Sequence, residues 1–307
     1  MKKILVATEK PFAKAAIDEI RPIVEAAGYE LALLEKYTEK AQLLDAVKDA
    51  QALIVRSDKV TREVVEAASE LKIVVRAGAG FDNLDLEACT EKGIVAMNTP
   101  GQNSNAVGEL VLGMMVFMAR NGFNGSAGTE LRGKKLGIHA YGNVGQYVAE
   151  IAKGFGMELY AFDPFVAKET IEAAGITPVE TVEELYKTCH YISLHIPANA
   201  QTKQSINYAL LSSMPQGAAL VNTARKEVIH EEEILKVMAD RPDFKYLSDI
   251  APDCKAEFEA NFEGRFFFTP KKMGAQTAEA NINAGAAAAR QIIGFLENGD
   301  ETFKVNK

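Results

Sequence analysis

The chain has 307 residues, of which 48% are hydrophobic and 25% charged. These values predict two soluble globular domains and are not typical of disordered or fibrous chains. A net charge of −8 repels phosphate backbones and anionic lipid, so we expect neither a nucleic acid nor a membrane surface as partner. An anionic substrate must then be bound by a few local cations. Three cysteines without a CxxC pair and a short N-terminal apolar run predict a cytoplasmic location without a signal peptide.

Short β-branched runs alternate with helical patterns in two series along the chain. The first series predicts strands at 3–8, 52–56, 73–76 and 95–97 and helices at 13–27, 62–68 and 84–92. The second predicts strands at 136–140, 158–162, 191–195, 219–222, 245–249 and 266–269 and helices at 144–154, 168–174, 181–188 and 230–240. This alternation is typical of βαβ units, so the sequence predicts an α/β fold with parallel sheets.

Two further helices are predicted outside this alternation. The segment 103–120 is apolar on several sides, which fits either a helix buried in the core or a dimer interface, and a Gly- and Asn-rich loop follows at 121–128. A closing helix spans 278–298, and the apolar tail at 303–305 is expected to return to the first domain.

A phosphate-binding turn is predicted at 137–145, between a strand and a helix. Ala140 occupies the place of the first glycine of a GxGxxG motif. The residues expected to contact a pyrophosphate, through backbone amides or close approach, are Gly142, Asn143, Val144 and Gly145. Asp163, at the end of the next strand, can accept hydrogen bonds from ribose hydroxyls and repels a 2′-phosphate, which favours NAD over NADP. The alternative is an ordinary βαβ turn followed by an Asp-Pro turn.

Four ordered motifs surround this turn. They lie at 77–83, 98–110, 222–225 and 269–277. In sequence and order they resemble the signatures of the D-2-hydroxyacid dehydrogenase family over nearly the whole chain. The resemblance implies two doubly wound domains: a discontinuous substrate-binding domain at 1–97 and 285–307, and a Rossmann-like NAD-binding domain at 98–284 inserted within it. It also implies that the C-terminal regulatory domain of longer members is absent.

Within the family, Leu53-Ile-Val-Arg-Ser57 resembles the phosphoglycerate dehydrogenase branch, in which the arginine binds the substrate phosphate. The implied substrate-binding residues are Arg56, Ser57, Arg76, Ala77, Gly78, Ala79, Asn103 and Arg225. The Gly-rich turn would present backbone amides to a carboxylate, and Arg225 would hold a 2-oxo acid in a planar fork. Alternatively, these arginines are surface charges or structural ion pairs.

The resemblance also implies further cofactor contacts. They fall on His195, Pro197, Thr223, Ala224, Asp249 and Gly274. Asp249 would contact the nicotinamide amide, and His195 would position the cofactor without transferring a proton. We interpret the other histidines, at 139, 190 and 230, as structural, and no spacing of metal ligands is present.

The sequence departs from the family at the acid/base position, where the family has a histidine. Here Lys271 and Lys272 occupy that position. Alignment from the C-terminal side, at 272–277, needs no gap and selects Lys272, which we prefer, whereas alignment from Pro270 selects Lys271. A lysine must have its pKa lowered to act as a base near neutrality. We therefore hypothesise that hydroxyacid oxidation has an alkaline optimum. Asp253 is the nearest acid to replace the family's glutamate, and the alternative for it is a turn residue beside Pro252.

These features predict NAD-linked hydride transfer on a phosphorylated 2-hydroxy or 2-oxo acid, by a homodimer formed through 98–128. A first alternative is a glyoxylate or hydroxypyruvate reductase, which Arg56 would distinguish. A second is an NAD-binding regulator that resembles the corepressors built on this fold. The missing histidine favours that alternative, and the retained Arg225 opposes it.

Overall fold

A computed structural model describes residues 2–307 and divides the chain into two units. Unit 1 comprises Met1–Asn103 and Gln276–Lys307, and unit 2 comprises Ser104–Ala275. Each contains one parallel sheet with helices, which confirms the predicted α/β class. The divisions follow residues 103 and 275, whereas the sequence predicted them after 97 and 284. The second differs because the last helix begins at Ala278 and packs as one piece in unit 1.

The first series of elements ends at Asn98. It consists of β1 (Lys3–Thr8), α1 (Lys14–Ala26), β2 (Glu30–Glu35), α2 (Lys40–Ala46), β3 (Ala50–Val55), α3 (Arg62–Ala67), β4 (Ile73–Arg76), α4 (Leu86–Glu91) and β5 (Val95–Asn98). The sequence did not predict β2 or α2. The Leu, Ala and Glu residues of β2 have higher helix than strand propensity, and its position at the sheet edge decides its conformation.

The sheet of unit 1 has the strand order β2-β1-β3-β4-β5, and the paired strands are parallel. The order reverses between β1 and β3, and at such a switch point the carboxyl ends of the strands open a crevice that binds ligands in doubly wound folds. Here those ends are Thr8 and Val55. Alternate strand residues are buried on both faces, Ile4 and Ile54 on one and Leu5 and Leu53 on the other.

The second series begins at Ser104. It consists of α5 (Ser104–Ala119), a short 3-10 turn (Asn121–Phe123), β6 (Lys135–His139), α6 (Asn143–Gly154), β7 (Glu158–Phe162), α7 (Lys168–Ala173), β8 (Thr177–Pro178), α8 (Val182–Thr188), β9 (Tyr191–Leu194), α9 (Tyr208–Ser212), β10 (Ala219–Asn222), a 3-10 turn (Lys226–Val228), α10 (Glu231–Asp240), β11 (Lys245–Ser248), α11 (Lys255–Asn261), β12 (Phe266–Phe268) and α12 (Ala278–Asn298). All except α12 belong to unit 2.

The sheet of unit 2 has the order β12-β11-β10-β9-β6-β7-β8, again with parallel pairs. Its order reverses between β6 and β9, which places His139 and Leu194 at the ends bordering the crevice. Helix α5 packs on α6, and Val111, Leu112 and Met115 are buried in the core of unit 2. This burial accounts for the apolar character of α5.

The tail after α12 pairs with β5, the last strand of the unit 1 sheet. The Val305 amide donates to the carbonyl of Ala96 at 2.8 Å. The Asn306 side chain accepts from the Ala96 amide at 2.8 Å and donates to the Ile94 carbonyl at 2.9 Å. Across residues 2–307, no helix combines the length and apolar character needed to cross a membrane.

Candidate functional site

The predicted phosphate-binding turn of unit 2 connects β6 to α6. Ala140 adopts a left-handed conformation with φ of 82°, which glycine adopts more readily than alanine. At Gly145 an added Cβ would overlap the carbonyl oxygen of Ala140, whereas at Gly142, the N-cap of α6, the space is open. The turn therefore approaches its helix closely and leaves the first amides of α6, at Asn143 and Val144, in position to bind an anion.

Asp163 lies beside this turn, directly after β7. Its Oδ2 accepts a hydrogen bond from the Tyr141 amide at 2.8 Å, and its Oδ1 accepts from the Phe165 amide at 2.9 Å. Each carboxylate oxygen has a second lone pair, so both can still accept from a ribose hydroxyl. The structure thus brings the predicted ribose acceptor next to the predicted pyrophosphate turn.

Two histidines border the switch point of the same sheet. His139 pairs through Nδ1 with the Tyr186 hydroxyl at 3.2 Å, and burial lowers the pKa of His139 to about 4. His195 pairs through Nε2 with the Ser193 hydroxyl at 2.9 Å, and burial lowers its pKa to about 3. The His195 amide donates to the His139 carbonyl. Both rings are therefore neutral near pH 7 and act as packing groups. Pro197, another predicted cofactor contact, is exposed in the loop that follows His195.

The end of β10 brings two predicted catalytic residues together. Buried Asn222 shapes the loop, since its side chain accepts from the Ala224 amide and donates to the Arg225 carbonyl, both at 2.9 Å. Arg225 Nη1 then donates to the Ala224 carbonyl at 3.0 Å, and Lys272 Nζ donates to the same oxygen at 2.6 Å. Both lysines are exposed residues, but the side chain of Lys271 has no such contact within residues 2–307. The geometry favours Lys272 as the partner of Arg225.

A buried carboxylate lies near these cations. Asp249 has no exposed surface, and its Oδ2 accepts from the Gly274 amide at 2.9 Å. Burial raises the pKa of Asp249, and the charges of Lys272 and Arg225 oppose that shift. In the described part of the chain, Asp249 Oδ1 and the buried Thr223 hydroxyl have no hydrogen-bond partner. Unused buried acceptors of this kind fit the carboxamide of a nicotinamide, so the residues present suit the NAD predicted from the sequence.

Arg56 lies at the switch point of the unit 1 sheet, directly after β3. Its Nη1 donates to the carbonyls of Lys10 and Pro11, both at 3.2 Å, and its Nη2 to the Asn281 side chain. The guanidinium also lies 5.1 Å from the centre of the Phe12 ring. Among residues 2–307, no carboxylate lies within 4.0 Å of it. Arg56 is thus fixed by neutral groups and retains its positive charge for an anion.

The Gly-rich turn after β4 differs from its prediction in one respect. The Ala77 and Gly78 amides donate to the carbonyls of Val55 and Arg76, at 2.8 and 2.9 Å, and so do not point to a carboxylate. Instead, Gly78 gives room to Arg76, since an added Cβ would overlap the Arg76 guanidinium, and Arg76 Nε donates to the Arg56 carbonyl at 3.0 Å. Within the part of the chain that the structure describes, the amides of Ala79 and Gly80 have no acceptor.

Three predicted residues lie apart from these contacts. Asp253 lies in a turn and forms an exposed ion pair with Lys226 at 2.5 Å, in agreement with the alternative of a turn residue beside Pro252. Ser57 is exposed after Arg56, and Asn103 is half-buried immediately before α5. No group of three potential ligands that could hold a metal ion occurs among the described residues.

Sequence reasoning missed several residues that shape the site. Asn222 begins the matched 222–225 motif, so its place before a turn was the available signal. Asp58 and Asn281 gave no signal, because Asp58 binds Glu9 and Tyr37, and Asn281 binds Arg56, across long stretches of sequence that only the fold brings together.

Comparison with known proteins finds one matching family and several similar dehydrogenases and reductases. Residues 114–262 match the family described as "D-isomer specific 2-hydroxyacid dehydrogenase, NAD binding domain". The chain is 36% identical over 267 residues to D-3-phosphoglycerate dehydrogenase of Methanocaldococcus jannaschii, covering 82% of this chain and 51% of that protein. It thus spans about half the length of that relative. It is 38% identical to hydroxypyruvate reductase of Thermotoga maritima, covering 88% of this chain and 92% of that protein.

A solved structure is also similar along its full length. The crystal structure of NAD⁺-bound 3-phosphoglycerate dehydrogenase in Entamoeba histolytica aligns with a TM-score of 0.89 and 49% identity. The alignment covers 100% of this chain and 99% of that one.

Proposed function

The chain belongs to the D-isomer specific 2-hydroxyacid dehydrogenase family, and we propose that it interconverts 3-phosphoglycerate and 3-phosphohydroxypyruvate with NAD. This reaction is the first step of the phosphorylated pathway of serine biosynthesis. The names of two relatives, from Methanocaldococcus jannaschii and Entamoeba histolytica, support this substrate.

The observation that carries the phosphate assignment is the position and setting of Arg56. It lies at the switch point of its sheet, where doubly wound folds bind ligands. Its donors contact two backbone carbonyls and an amide oxygen, so no carboxylate neutralises it. An arginine fixed in this way is ready to bind a phosphate without first breaking an ion pair. Arg76, whose side chain is directed by Gly78, is the second cation of this edge.

The chemistry of the reaction is assigned to unit 2. When bound, NAD accepts or supplies the hydride. The Gly142–Gly145 turn and Asp163 would hold its pyrophosphate and ribose, and Thr223, Asp249 and Gly274 its nicotinamide end. Arg225 would bind the carboxylate and carbonyl of the 2-oxo acid in a planar fork and so polarise the carbonyl.

We assign proton transfer to Lys272. In the reducing direction its ammonium would donate a proton to the carbonyl oxygen, and in the oxidising direction its neutral amine would remove one from the hydroxyl. Since an ordinary lysine is protonated at pH 7, hydroxyacid oxidation should become faster toward alkaline pH. A rate that stays flat from pH 7 to 10 would contradict this assignment.

The substrate is tested by measuring NADH oxidation with 3-phosphohydroxypyruvate, hydroxypyruvate and glyoxylate in parallel. We expect the phosphorylated acid to have the highest kcat/KM. Arg56→Ala should raise its KM at least tenfold, since a charge-assisted contact to phosphate is lost, and should affect hydroxypyruvate little. Arg62→Ala is the matched control, because Arg62 pairs with Glu91 on the surface of the same unit.

A second candidate is reduction of hydroxypyruvate or glyoxylate. It is favoured by the Thermotoga maritima relative, which this chain covers almost completely. Equal kcat/KM values for hydroxypyruvate and 3-phosphohydroxypyruvate, with no effect of Arg56→Ala, would select it. NADH binding without turnover of any of the three acids would select the corepressor-like alternative.

We also propose a cytoplasmic homodimer that associates through 98–128. Phe123 supports the interface, since 65% of its surface is exposed although its ring contacts Phe117. Three free buried cysteines suit a reducing compartment. Light scattering should give a dimer mass for the unaltered chain and a monomer for Phe123→Asp.

A further inference from the structure

A buried carboxylate lies two residues beyond Arg56. Asp58 is only 5% exposed. Its Oδ1 accepts from the Tyr37 hydroxyl at 2.9 Å and from the Glu9 amide at 2.6 Å, and its Oδ2 accepts from the Arg56 amide at 3.4 Å. Asp58 therefore binds donors from three separate parts of unit 1.

These contacts connect Asp58 to the surroundings of the Arg56 guanidinium. Glu9 belongs to the loop between β1 and α1, and the next two residues of this loop, Lys10 and Pro11, supply the carbonyls that bind Arg56. Asp58 thus holds the first residue of the loop, and Arg56 holds the next two. Asn83 fixes the opposite side, since its Nδ2 donates to the Asp58 carbonyl at 2.7 Å and to the Arg56 carbonyl at 3.3 Å.

The charge of Asp58 is compensated locally. A buried carboxylate is costly unless donors and opposite charge surround it. The Tyr37 hydroxyl is such a donor, and burial together with Asp58 raises the pKa of Tyr37, which keeps it in the donating form. Arg56 supplies the opposite charge without a direct ion pair, as Asp58 acts on it at longer range. The Asp58 carboxylate therefore stabilises the positive charge of Arg56, while the guanidinium N–H groups donate to other acceptors.

We propose that Asp58, supported by Tyr37, is a positioning residue that sets specificity for the phosphomonoester end of the substrate. It fixes the β1–α1 loop and, through the loop carbonyls, the orientation of the Arg56 guanidinium. This inference rests on the proposed function, because it assumes that Arg56 binds the phosphate.

The test compares kcat/KM for 3-phosphohydroxypyruvate with kcat/KM for hydroxypyruvate. In Asp58→Asn, one carboxylate oxygen becomes an NH2 group, so the side chain can no longer accept from both the Glu9 amide and the Arg56 amide. The loop should then loosen, and this ratio should fall about tenfold. Tyr37→Phe removes one donor without changing the fold and should lower the ratio about threefold. Asp85→Asn is the matched control, since Asp85 caps α4 in the same unit and asparagine caps equally well, so the ratio should not change.

A double-mutant cycle separates positioning from general destabilisation. In the Arg56→Ala background, neither Asp58→Asn nor Tyr37→Phe should change the ratio further, because they act through Arg56. Equal losses for both substrates, or a full further effect in that background, would overturn the inference. If Arg56→Ala lowers the ratio and the other two variants do not, only the positioning role fails. If Arg56→Ala leaves the ratio unchanged, the proposed phosphate contact itself fails.

Discussion

Acid should destabilise unit 2 through two histidines, the buried His139 and the half-buried His195. Burial lowers the pKa of His139 from 6.5 to about 4 and that of His195 to about 3. Below pH 6.5 the unfolded chain binds protons at both positions, whereas the folded chain does not do so until the pH reaches these lower values. The free energy of unfolding must therefore fall as the pH drops from about 6.5 to 4, and these two groups contribute no change above pH 7.

The magnitude follows from the two pKa values of each histidine. At pH 4.5, protonation of His139 in the unfolded chain lowers the free energy of unfolding by about 2.5 kcal/mol, and protonation of His195 lowers it by a similar amount. Together they amount to about 5 kcal/mol, which is comparable to the whole stability of many domains. Ionisation of acids adds a pH dependence of its own, so a variant is needed to isolate the histidine contribution.

The double variant His139→Val, Tyr186→Phe removes the histidine and its partner together, so no buried polar group is left unpaired. Its free energy of unfolding should fall about 2.5 kcal/mol less than that of the unaltered chain between pH 7 and 4.5. Tyr186→Phe alone is the control, since it keeps the titrating ring. The chain has no tryptophan, so urea unfolding is followed by circular dichroism. Parallel pH profiles for the double variant and the unaltered chain would refute the argument.

Three further predictions concern the site. Lys272→Met should lower kcat for the 2-oxo acid about a hundredfold or more, in steady-state rates, and should leave the Kd for NADH unchanged in titration calorimetry. Lys271→Met is the matched control and should change kcat less than about threefold. Gly274→Ala should weaken NADH binding about tenfold in the same calorimetry, since its Cβ would lie 2.8 Å from Asp249 Oδ2 and displace that carboxylate. Ala140→Gly should raise the free energy of unfolding by about 0.5–1 kcal/mol, because it relieves a left-handed alanine; a lower urea midpoint would contradict it.

The fold was predictable where local signals agree with tertiary structure. The closing helix has the predicted bounds, because Thr277 caps its first turn and Gly299, with φ of 69°, ends it. The helices that sequence reasoning missed, such as Tyr208–Ser212 and Lys255–Asn261, have only five and seven residues. Helices this short are marginal by themselves and form because they pack on the rest of unit 2.

The site was predictable at the level of strand ends and less so at the level of contacts. Periodicity predicted the strands beside Arg56, Arg225 and Asp249 and so placed these residues at ligand-binding edges, whereas the family resemblance singled them out. Which amides of a turn are free depends instead on the pairing of neighbouring strands. The Ala77 amide continues the β3–β4 ladder to Val55, and no local pattern reveals this.

Because the chain is acidic, the groups that surround each cation decide whether that cation can attract an anion. With a net charge of −8, an anionic substrate is attracted only where a cation keeps its local field. Arg56 does so by donating to carbonyl and amide oxygens, with Asp58 stabilising it at a distance. In unit 2, Arg225 and Lys272 both donate to the Ala224 carbonyl, which holds the two cations side by side. A carbonyl fixes the direction of a donor without cancelling its charge, so Arg56 combines rigidity with attraction for an anion, which a direct ion pair would reduce.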